Sequence, residues 1–547
     1  MDIHGDDSFR AKSYSIAAFT IDKLEKELAT MQPQEIFSIK GIGDRMGKRI
    51  LEVLETGKLA ALDEYIQKTP SGILEMLSIK GLGPKKIATV WKEMDIQNIG
   101  ELLYACNENR LTRYKGFGEK TQEKIRESIE FYMNSLGSYL YAQIESYALE
   151  LDKKLQQQYP DDQFGLTGQV RRQLEVITKV EWVTTANADT IKQFFGAAYT
   201  VENDAADYLS LRGPENVELG FYLTAKNNFC KKLFETSCSE DFLTCFREQF
   251  SSYETAVYGC EDDIFANNKL TPIPSYYREH KTSITSAVNG AFNIIQPTDI
   301  KGIIHTHSKW SDGVETIEAM AKAAQKMGME YLVISDHSKT AAYAQGLTEE
   351  QIIRQHEEID KLNKLNKLNK QLAPFKIFKS IESDILGDGS LDYAAEVLST
   401  FDLVIASVHA NLYMNQEKAM MRLIKAIENP YTSILGHMTG RLLLSRNGYP
   451  IDHQKIIDAC AANNVVIELN ANPRRLDMDW RHIDYALEKG VLISIDPDAH
   501  SIQGFSDIRY GVLSAQKAGL PKEKNLSSYP LKEFQKWVEE QHAKRKK

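Results

Sequence analysis

Nine side chains able to bind metal ions stand out in the C-terminal half of this 547-residue sequence. They follow the ends of short apolar runs, as in GIIHTHS, YLVISDHS, LVIASVHA and VLISIDPDAHS. The set comprises His305, His307, Asp312, His337, Glu382, His409, His437, Asp498 and His500. Imidazole and carboxylate groups without cysteine are typical ligands of zinc, manganese or iron. The residue types therefore predict a metal centre in this half of the chain.

The elements that must position these ligands follow a regular pattern. Short apolar strands alternate with helices, which predicts βα units and a parallel sheet. Barrels of this kind place their active sites at the C-terminal ends of the strands. Strand alternation should put His305 and His307 on one face, and also Asp498 and His500 if the extended chain continues. The run VVIELNAN (465–472) carries no obvious ligand.

A glycine motif repeats in the N-terminal region, in IKGIGDRMGKRI (39–50), IKGLGPKKIATV (79–90) and YKGFGEKTQEKI (114–125). Glycine permits a tight turn and a close approach to a ligand, and the following helix start offers free N–H groups to an anion. Such hairpins hold a DNA phosphate without reading bases. The predicted DNA contacts are Gly41, Gly43, Gly81, Gly83, Lys85, Gly116 and Gly118.

Composition narrows the class of protein. Hydrophobic residues make up 42% of the chain and charged residues 26%, as in a soluble globular protein. The 66 basic and 76 acidic residues give a net charge of −10, which excludes a histone-like basic coat. No apolar run is long enough to span a bilayer, and the acidic start is not a secretory signal. The six scattered cysteines predict reduced thiols in a cytoplasm.

The segment FRAKSYSIAA (9–18), followed by the hairpins, resembles the N-terminal and fingers portion of family X DNA polymerases. Relatives with deoxyribose-phosphate lyase activity form a Schiff base through a lysine after the first hairpin. The matching position here is Arg49, with Lys48 beside it. Because arginine stays protonated, it cannot supply the nucleophilic amine. The resemblance therefore does not extend to lyase activity.

A fainter resemblance to the family X palm covers residues 140–290. The segment GQVRRQLEVITKVEW (168–182) is similar to the Gly-Ser-x-Arg-Arg motif and the two aspartates after it. The three aspartates that hold magnesium in the family correspond here to Lys179, Glu181 and Glu218. A lysine ammonium repels the cations that these positions would otherwise bind. The sequence predicts a retained palm fold without polymerase catalysis.

The motifs HTHS, SDG, SDHS, IESDILGDGSLD, SVH, GH and DAHS resemble the PHP (polymerase and histidinol phosphatase) domain across 300–530. This family has a distorted seven-stranded βα-barrel with three metal ions. The resemblance implies a first ion held by His305, His307, Glu382 and Asp498. It implies a second ion bridged by Glu382 and held by His409 and His437, and a third held by Asp312, His337 and His500.

The reaction implied by such a centre is phosphoester hydrolysis. Paired ions activate a bridging water and clamp phosphate oxygens. The predicted catalytic residues are His305, His307, Glu382 and Asp498. Arginine forks suit phosphate geometry. The candidates near strand ends are Arg441, Arg446, and Arg474 or Arg475.

We therefore predict a multidomain protein with three parts. An α-helical helix-hairpin-helix region covers 1–140, and an α/β nucleotidyltransferase-like palm and thumb covers 141–290. A polar linker at 286–302 leads to a distorted (β/α)7 PHP barrel over 300–547.

The predicted function is a DNA-repair phosphoesterase with three manganese or zinc ions, or iron. A 3′→5′ exonuclease is favoured, with 3′-phosphatase or abasic-site activity as variants. The partner is DNA, gapped, nicked or at its ends, bound without sequence specificity by a monomer and away from membranes. The alternatives are an active repair polymerase, a non-catalytic DNA-end scaffold and a phosphatase of small metabolites.

Overall fold

The computed structural model describes residues 1–545 except 7, 25, 95, 108–110, 136, 215, 289, 291, 342–343, 369–373, 413 and 445–446. It divides the chain into two compact units, residues 1–136 and 137–547. The first unit is helical. Its helices are α1 Ser8–Asp22, α2 Pro33–Ser38, α3 Asp44–Thr56, α4 Ala60–Lys68, α5 Ser71–Glu75, α6 Pro84–Lys92, α7 Ile99–Asn107 and α8 Glu119–Ser135.

Each glycine motif forms a turn that leads directly into a helix. The first glycine has a left-handed φ of 96° at Gly41, 87° at Gly81 and 92° at Gly116. Glycine adopts this left-handed conformation readily because it has no Cβ atom. The second glycine precedes α3, α6 and α8. The apolar residue between the two glycines is buried in all three turns, at Ile42, Leu82 and Phe117. The predicted hairpins are therefore present.

The second unit begins with the palm. Its elements are β1 Tyr139–Leu140, α9 Tyr141–Gln158, β2 Phe164–Thr167, α10 Gly168–Arg171, β3 Val176–Ile177, β4 Lys179–Thr184, α11 Ala188–Phe195, β5 Thr200–Asp204, β6 Tyr208–Arg212 and β7 Glu218–Leu223. A mixed sheet has the order β2-β4-β7-β6-β5, with β4 and β7 parallel. In its core, the rings of Trp182 and Phe221 stack with centroids 5.1 Å apart.

A helical thumb follows the palm sheet. Its helices are α12 Phe229–Thr236, α13 Glu240–Gln249, α14 Glu261–Ala266 and α15 Thr282–Val288. Aromatic side chains fill its core, with Phe234, Phe242, Phe246 and Tyr253 all fully buried. This aromatic cluster gives the thumb a core of its own beside the palm sheet.

The barrel forms the rest of the second unit. Its elements are β8 Gly302–Thr306, α16 Ile317–Lys326, β9 Tyr331–Ile334, α17 Glu349–Leu368, β10 Lys376–Asp384, α18 Ala395–Leu398, β11 Leu403–Ser407, α19 Gln416–Ile427, β12 Ile434–Leu435, α20 His453–Asn463, β13 Val466–Asn470, α21 Ile483–Glu488, β14 Ile493–Asp496, α22 Ile508–Gln516 and α23 Leu531–Lys544.

The seven strands of the barrel are parallel and lie in sequence order from β8 to β14. The first and last strands meet beyond β14, where the His307 N–H donates to the Ala499 carbonyl at 2.9 Å. The sheet is therefore a nearly closed barrel, and the predicted fold class is confirmed. Within the part of the chain that the structure describes, no helix has both the length and the apolar character needed to cross a bilayer.

The expected linker at 286–302 differs from the prediction. Ile294, Ile295 and Ile300 are buried, and the Ile295 N–H donates to the Leu520 carbonyl at 2.8 Å. Its part from 292 to 302 is packed on the barrel because these apolar residues outweigh the polar and turn-forming residues around them. Palm, thumb and barrel thus share one compact unit.

Candidate metal centre

Glu382, near the end of β10, lies at the centre of the predicted ligands and is fully buried. The Nε2 atoms of His305, His409 and His437 lie 3.2, 3.1 and 3.0 Å from its Oε1. The Nδ1 atom of His337 lies 2.9 Å from its Oε2. One buried carboxylate therefore meets four imidazoles that come from the ends of four different strands.

The other two predicted carboxylates collect the remaining ligands. Asp498 Oδ1 lies 3.1 Å from His307 Nε2 and 3.5 Å from His305 Nε2. Asp312 Oδ2 lies 3.4 Å from His500 Nε2. All nine predicted ligands therefore converge at the C-terminal mouth of the barrel.

Three groups of side chains have ligand atoms within 4.8 Å of one another. They are His307, Asp312, His337 and His500; His305, His307 and Asp498; and His337, Glu382 and His409. These groups differ from the implied ligand sets in four places. His307 also joins the Asp312 group and His337 joins the Glu382 group, while Glu382 is not in the His305 group and His437 is in none of the three. Shared ligands are expected of ions that sit close together.

The backbone at two ligands is strained, and strand alternation does not explain their placement. His305 has φ 58° and Asp498 has φ 52°. The pairing of β8 with β9 is irregular between Ile303 and Thr306. The expected extended chain after β14 is also wrong, because the strand ends before Asp498. Left-handed φ at a non-glycine residue costs about 1–3 kcal/mol and persists where surrounding structure enforces it.

The donor atoms fit divalent cations. Among the described residues, His305 Nε2, His307 Nδ1 and Glu382 Oε2 are buried without a hydrogen-bond partner, because the nitrogen and oxygen atoms close to them are not oriented to form one. Leaving a buried polar group unpaired costs about 1–3 kcal/mol. Imidazole nitrogen and carboxylate oxygen are the atoms that ligate zinc, manganese and iron. A bound cation would satisfy these atoms at once.

Hydrogen-bond partners behind the ligands were missed in the sequence. Glu468 Oε2 lies 2.5 Å from His305 Nδ1, and Asp384 Oδ1 lies 2.5 Å from His409 Nδ1. Asn470 donates from Nδ2 to Glu468 at 2.9 Å and to Asp498 at 3.1 Å. Such partners fix the tautomer and orientation of a ligating histidine. The signal was present, since Glu468 and Asn470 interrupt an otherwise apolar, fully buried strand.

The pKa values of the ligands reflect their mutual charges. Burial raises the pKa of Glu382, but His409, His305 and His337 outweigh it and hold that pKa well below its ordinary value. Burial, together with the neighbouring His500 and His337, lowers the pKa of His307 to about 3. Burial lowers the pKa values of His337 and His409, but Glu382 outweighs it and raises them to about 10 and about 9. Metal binding at these two rings would therefore release protons, whereas Glu382 and His307 already have the forms that bind metals.

The predicted phosphate-binding arginines have different surroundings. Arg475 Nε lies 3.6 Å from Asp498 Oδ2, so this guanidinium reaches the centre. The guanidinium of Arg441 pairs with Asp479 at 2.5 Å and donates to the carbonyls of Arg475 and Leu476. These contacts use three of its five N–H donors and hold Arg441 within the fold, so its assignment to a substrate phosphate stays a prediction. Arg446 lies outside the described residues, and Arg474 is exposed.

The hairpin turns present open backbone. No described heavy atom lies within 4 Å of a Cβ built on Gly81, Gly83, Gly116 or Gly118. Gly83 caps α6 without a side-chain hydrogen bond, so the first N–H groups of that helix are left open. Lys86 donates to the Gly81 carbonyl at 3.0 Å and braces the turn, whereas Lys85 is exposed beside it. This surface can accept an anion.

The palm positions corresponding to metal ligands are neutralised within the fold. Lys179 and Glu218 are register partners on parallel strands, and Lys179 Nζ lies 3.1 Å from Glu218 Oε1. The Tyr208 hydroxyl also donates to Glu218 at 3.1 Å, and the Tyr222 hydroxyl donates to Glu181 at 3.0 Å. Burial raises the pKa of Glu181. Each carboxylate already has protein partners.

Arg171 and Arg172, which the palm resemblance includes, and Arg49, which departs from the lyase lysine, are likewise paired. Arg171 binds Glu261 with contacts of 2.5 and 3.2 Å, and Arg172 binds Glu279 with contacts of 2.5 and 2.7 Å. Arg49 Nη1 lies 2.6 Å from Glu52. All three arginine side chains therefore form ion pairs within the fold.

The barrel with its ring of strand-end ligands is a PHP domain, and this family matches residues 304–472. A helix-hairpin-helix domain matches residues 1–59, and a SAM-like helix-hairpin-helix tandem matches residues 73–130. The chain is 30% identical to the DNA polymerase/3′-5′ exonuclease PolX of Bacillus subtilis (strain 168), over 98% of this chain and 96% of that protein. It therefore belongs to the bacterial family X DNA polymerases with a C-terminal PHP domain, which confirms the resemblance drawn from the sequence.

More distant similarities concern the barrel region. A probable phosphatase of Caldanaerobacter subterraneus is 27% identical over 36% of this chain and 74% of that protein. A solved histidinol phosphate phosphatase of Lactococcus lactis, in complex with zinc, L-histidinol and phosphate, aligns with 40% of this chain and 94% of its own. Its TM-score is 0.32 and its sequence identity is 18%.

Proposed function

We propose that this protein is a metal-dependent phosphoesterase of DNA repair that removes nucleotides from DNA 3′ ends. The observation that carries the proposal is the convergence of nine ligands on one barrel mouth, with buried donor atoms of His305, His307 and Glu382 left without hydrogen-bond partners. The exonuclease named in the Bacillus subtilis relative and the probable phosphatase relatives support the same class of reaction.

The cofactor we propose is three divalent ions, manganese or zinc, with iron as a further candidate. The residues that would hold them are His305, His307, Asp312, His337, Glu382, His409, His437, Asp498 and His500. Such ions supply Lewis acidity and neutralise charge on phosphate oxygens when bound. The chain itself contributes orientation, because Glu468 and Asp384 hold the imidazoles of His305 and His409 with Nε2 near Glu382.

Arg475 is the side chain we assign to the substrate phosphate. Its guanidinium lies beside Asp498 at the mouth of the barrel and is one-fifth exposed, so a phosphate can reach it. A planar guanidinium offers paired donors that match two phosphate oxygens. In this position it would orient the scissile group toward the carboxylate and imidazole cluster.

The test is a screen of metals against substrates with full-length protein stripped by chelation. End-labelled single-stranded, duplex, nicked and gapped DNA would be incubated with manganese, zinc, iron or magnesium. We expect stepwise loss of 3′ nucleotides, restored better by manganese than by magnesium, which makes little use of imidazole. Absence of hydrolysis with every metal, or digestion only from 5′ ends, would contradict the proposal.

We further propose that the three hairpins bind DNA phosphates without sequence preference. Open backbone at Gly81 and Gly83 and the exposed Lys85 support this role. A 1–136 fragment, cut where the structure divides the chain, should bind gapped DNA with an affinity that falls as salt rises, because counterions are released. Gly83→Val should weaken binding by filling the open turn. Its φ of −78° tolerates the change, so a melting curve serves as the folding control.

The palm, in our proposal, has lost polymerase activity. The ion pair between Lys179 and Glu218 supports this, since it places a cation where the family binds metals. Template-directed incorporation should be undetectable in magnesium or manganese. Robust primer extension that is abolished by Glu218→Ala would overturn this part of the proposal.

We also propose that the protein works as a monomer in a reducing cytoplasm. The cysteines Cys106, Cys230, Cys238, Cys245, Cys260 and Cys460 are all free thiols, which supports a reducing compartment. Sedimentation of the purified chain would test the oligomeric state.

A further inference from the structure

The segment 471–480, which follows β13, carries Arg475 at the mouth of the barrel. The amides of Arg475 and Leu476 both donate to the Asn472 carbonyl, at 2.8 and 3.1 Å. This compact turn fixes the local shape of the segment. Backbone hydrogen bonds tie the segment to its neighbours, since the Leu443 N–H donates to the Arg474 carbonyl at 2.6 Å. Side chains from elsewhere add further contacts to the backbone that carries Arg475.

Two arginines clamp this segment through Asp479. Arg441 holds the carbonyls of Arg475 and Leu476 and pairs with Asp479 Oδ2 at 2.5 Å. Arg481 Nη1 lies 2.9 and 3.0 Å from the two oxygens of the same carboxylate. The backbone that carries Arg475 is thereby tied to a network centred on Asp479.

The network continues into the palm. Arg481 Nη1 also lies 3.2 Å from Oε1 of Glu175, which directly precedes β3 and whose side chain is only 9% exposed. The Arg481 guanidinium lies over the Trp480 ring at 4.5 Å. The Trp480 ring also lies against the ring of His280, which precedes the thumb helix α15, with centroids 5.3 Å apart. Palm and thumb residues thus brace the far end of the segment.

We propose that Arg481 is a positioning residue through which the palm holds Arg475 at the metal centre. Glu175 holds Arg481, Arg481 holds Asp479, and Asp479 with Arg441 holds the backbone of Arg475. This rests on the proposed phosphoesterase function of the barrel and gives the palm a role that needs no polymerisation. Catalytic side chains must be held within fractions of an ångström by such supports.

The same interface provides a matched control. Arg509 of α22 forms a two-contact ion pair with palm residue Glu145, at 2.7 and 2.6 Å. The side chains of Arg509 and Arg481 are 44% and 50% exposed. Both arginines join the barrel to a palm glutamate, but only Arg481 contacts the 471–480 segment. Arg509→Gln therefore reports the loss of an interface ion pair alone.

The experiment compares Arg481→Gln, Arg481→Lys and Arg509→Gln in the full chain. Hydrogen exchange of the 471–480 peptide is measured first, because it needs no catalysis. Hydrolysis of bis(4-nitrophenyl) phosphate with manganese follows. We expect faster exchange and roughly tenfold lower kcat/KM, chiefly through KM, in Arg481→Gln only, the size typical of lost supporting contacts. Arg481→Lys should recover part of both.

A double variant separates a positioning role of Arg481 from a general loss of structure. In Arg475→Ala, the further change Arg481→Gln should cost little, because its effect passes through Arg475. Equal exchange in wild type, Arg481→Gln and Arg509→Gln would overturn the inference, as would an undiminished Arg481→Gln effect in the Arg475→Ala background. If the wild-type protein hydrolyses no phosphodiester, the proposed function is contradicted instead. The exchange comparison would then decide alone whether Arg481 holds the segment.

Discussion

The barrel and the palm each gather carboxylates at strand ends, but they balance the negative charge in different ways. In the barrel, Glu382 is surrounded by imidazoles, and its Oε2 is among the buried atoms without a hydrogen-bond partner in the described chain. In the palm, Glu218 is paired with Lys179 and also accepts from Tyr208. A cluster that supplies its own cation has no need of a metal.

The contrast extends to the supporting residues. Around the barrel centre, Glu468 and Asp384 lie behind His305 and His409 and leave the opposite ring nitrogens near Glu382. In the palm, the tyrosine hydroxyls contact the carboxylates directly and use their lone pairs. In the barrel, the supporting groups orient the ligands and leave their metal-binding atoms available, as is typical of a metal site. In the palm, the supporting groups bond to the carboxylate oxygens themselves, which supports our proposal that this site binds no catalytic metal.

The largest effect should come from removing the carboxylate at the heart of each region. Glu382→Ala should reduce phosphodiester hydrolysis roughly a thousandfold or more, because metal-centred charge stabilisation is worth several kcal/mol. Glu218→Ala should leave the rate within about twofold, the scale of a change far from the chemistry. Rates on a small phosphodiester with manganese would compare the two variants. Similar rates for Glu382→Ala and wild type would contradict the assignment of the activity to the barrel centre.

A smaller effect is expected from the support behind a ligand. Glu468→Gln keeps the shape of the side chain but weakens the acceptor for His305, so activity should fall about 10–100-fold. Metal affinity, measured by competition with a chelator, should fall in parallel. Glu539→Gln, at an exposed position on α23, is the control because it removes one negative charge in the same way. Unchanged metal affinity in Glu468→Gln would show that the hydrogen bond does not tune the centre.

Much of the metal centre could be predicted because its signal is local. Each ligand follows an apolar strand in the sequence, and parallel strands bring their C-terminal ends together whatever the details of packing. The hairpins were equally accessible, since Gly81 and Gly83 specify the turn with little help from distant residues. In both cases the residues of one short segment are enough to predict the local structure.

What escaped prediction depends on contacts between distant residues. Glu468 meets His305 across 163 positions, and Arg441 meets Asp479 across 38. Glu468 is visible in the sequence only as a polar residue within an apolar strand. No local pattern indicates that its partner is His305, or that Arg441 pairs with Asp479. The segment 292–302 is similar, because the burial of Ile295 depends on a barrel surface formed by residues near Leu520. Sequence alone indicates which groups could act, but not which of them are already engaged.

The palm offers a direct way to sharpen the contrast. Lys179→Asp would place a third carboxylate beside Glu181 and Glu218, and like charges should destabilise the metal-free protein by about 1 kcal/mol. Manganese should then raise the Tm by more than it does in wild type, since the new cluster lacks its internal cation. Differential scanning calorimetry with and without manganese measures both effects. Lys179→Met, which removes the charge without adding a ligand, is the control.

The smallest expected effect concerns histidines outside the metal centre. The rings of His453 and His482 stack with centroids 3.8 Å apart near the Arg441–Asp479 pair. Burial lowers the pKa of both histidines, and for His453 its charged neighbour His482 adds to the effect.

The pKa of each ring in the folded protein is below the unfolded value of about 6.5. Between these two values, the unfolded chain therefore binds more protons than the folded chain. Stability contributed by the neutral pair is therefore present above about pH 6.5 and lost as the pH falls below it. His453→Gln should shrink the difference in Tm between pH 7.5 and pH 5.5 by about 2 °C, on the scale of a fraction of a kcal/mol. The measurement is made on chelated protein, so that metal release does not contribute. An identical pH dependence in wild type and His453→Gln would assign the acid sensitivity to the metal-binding histidines instead.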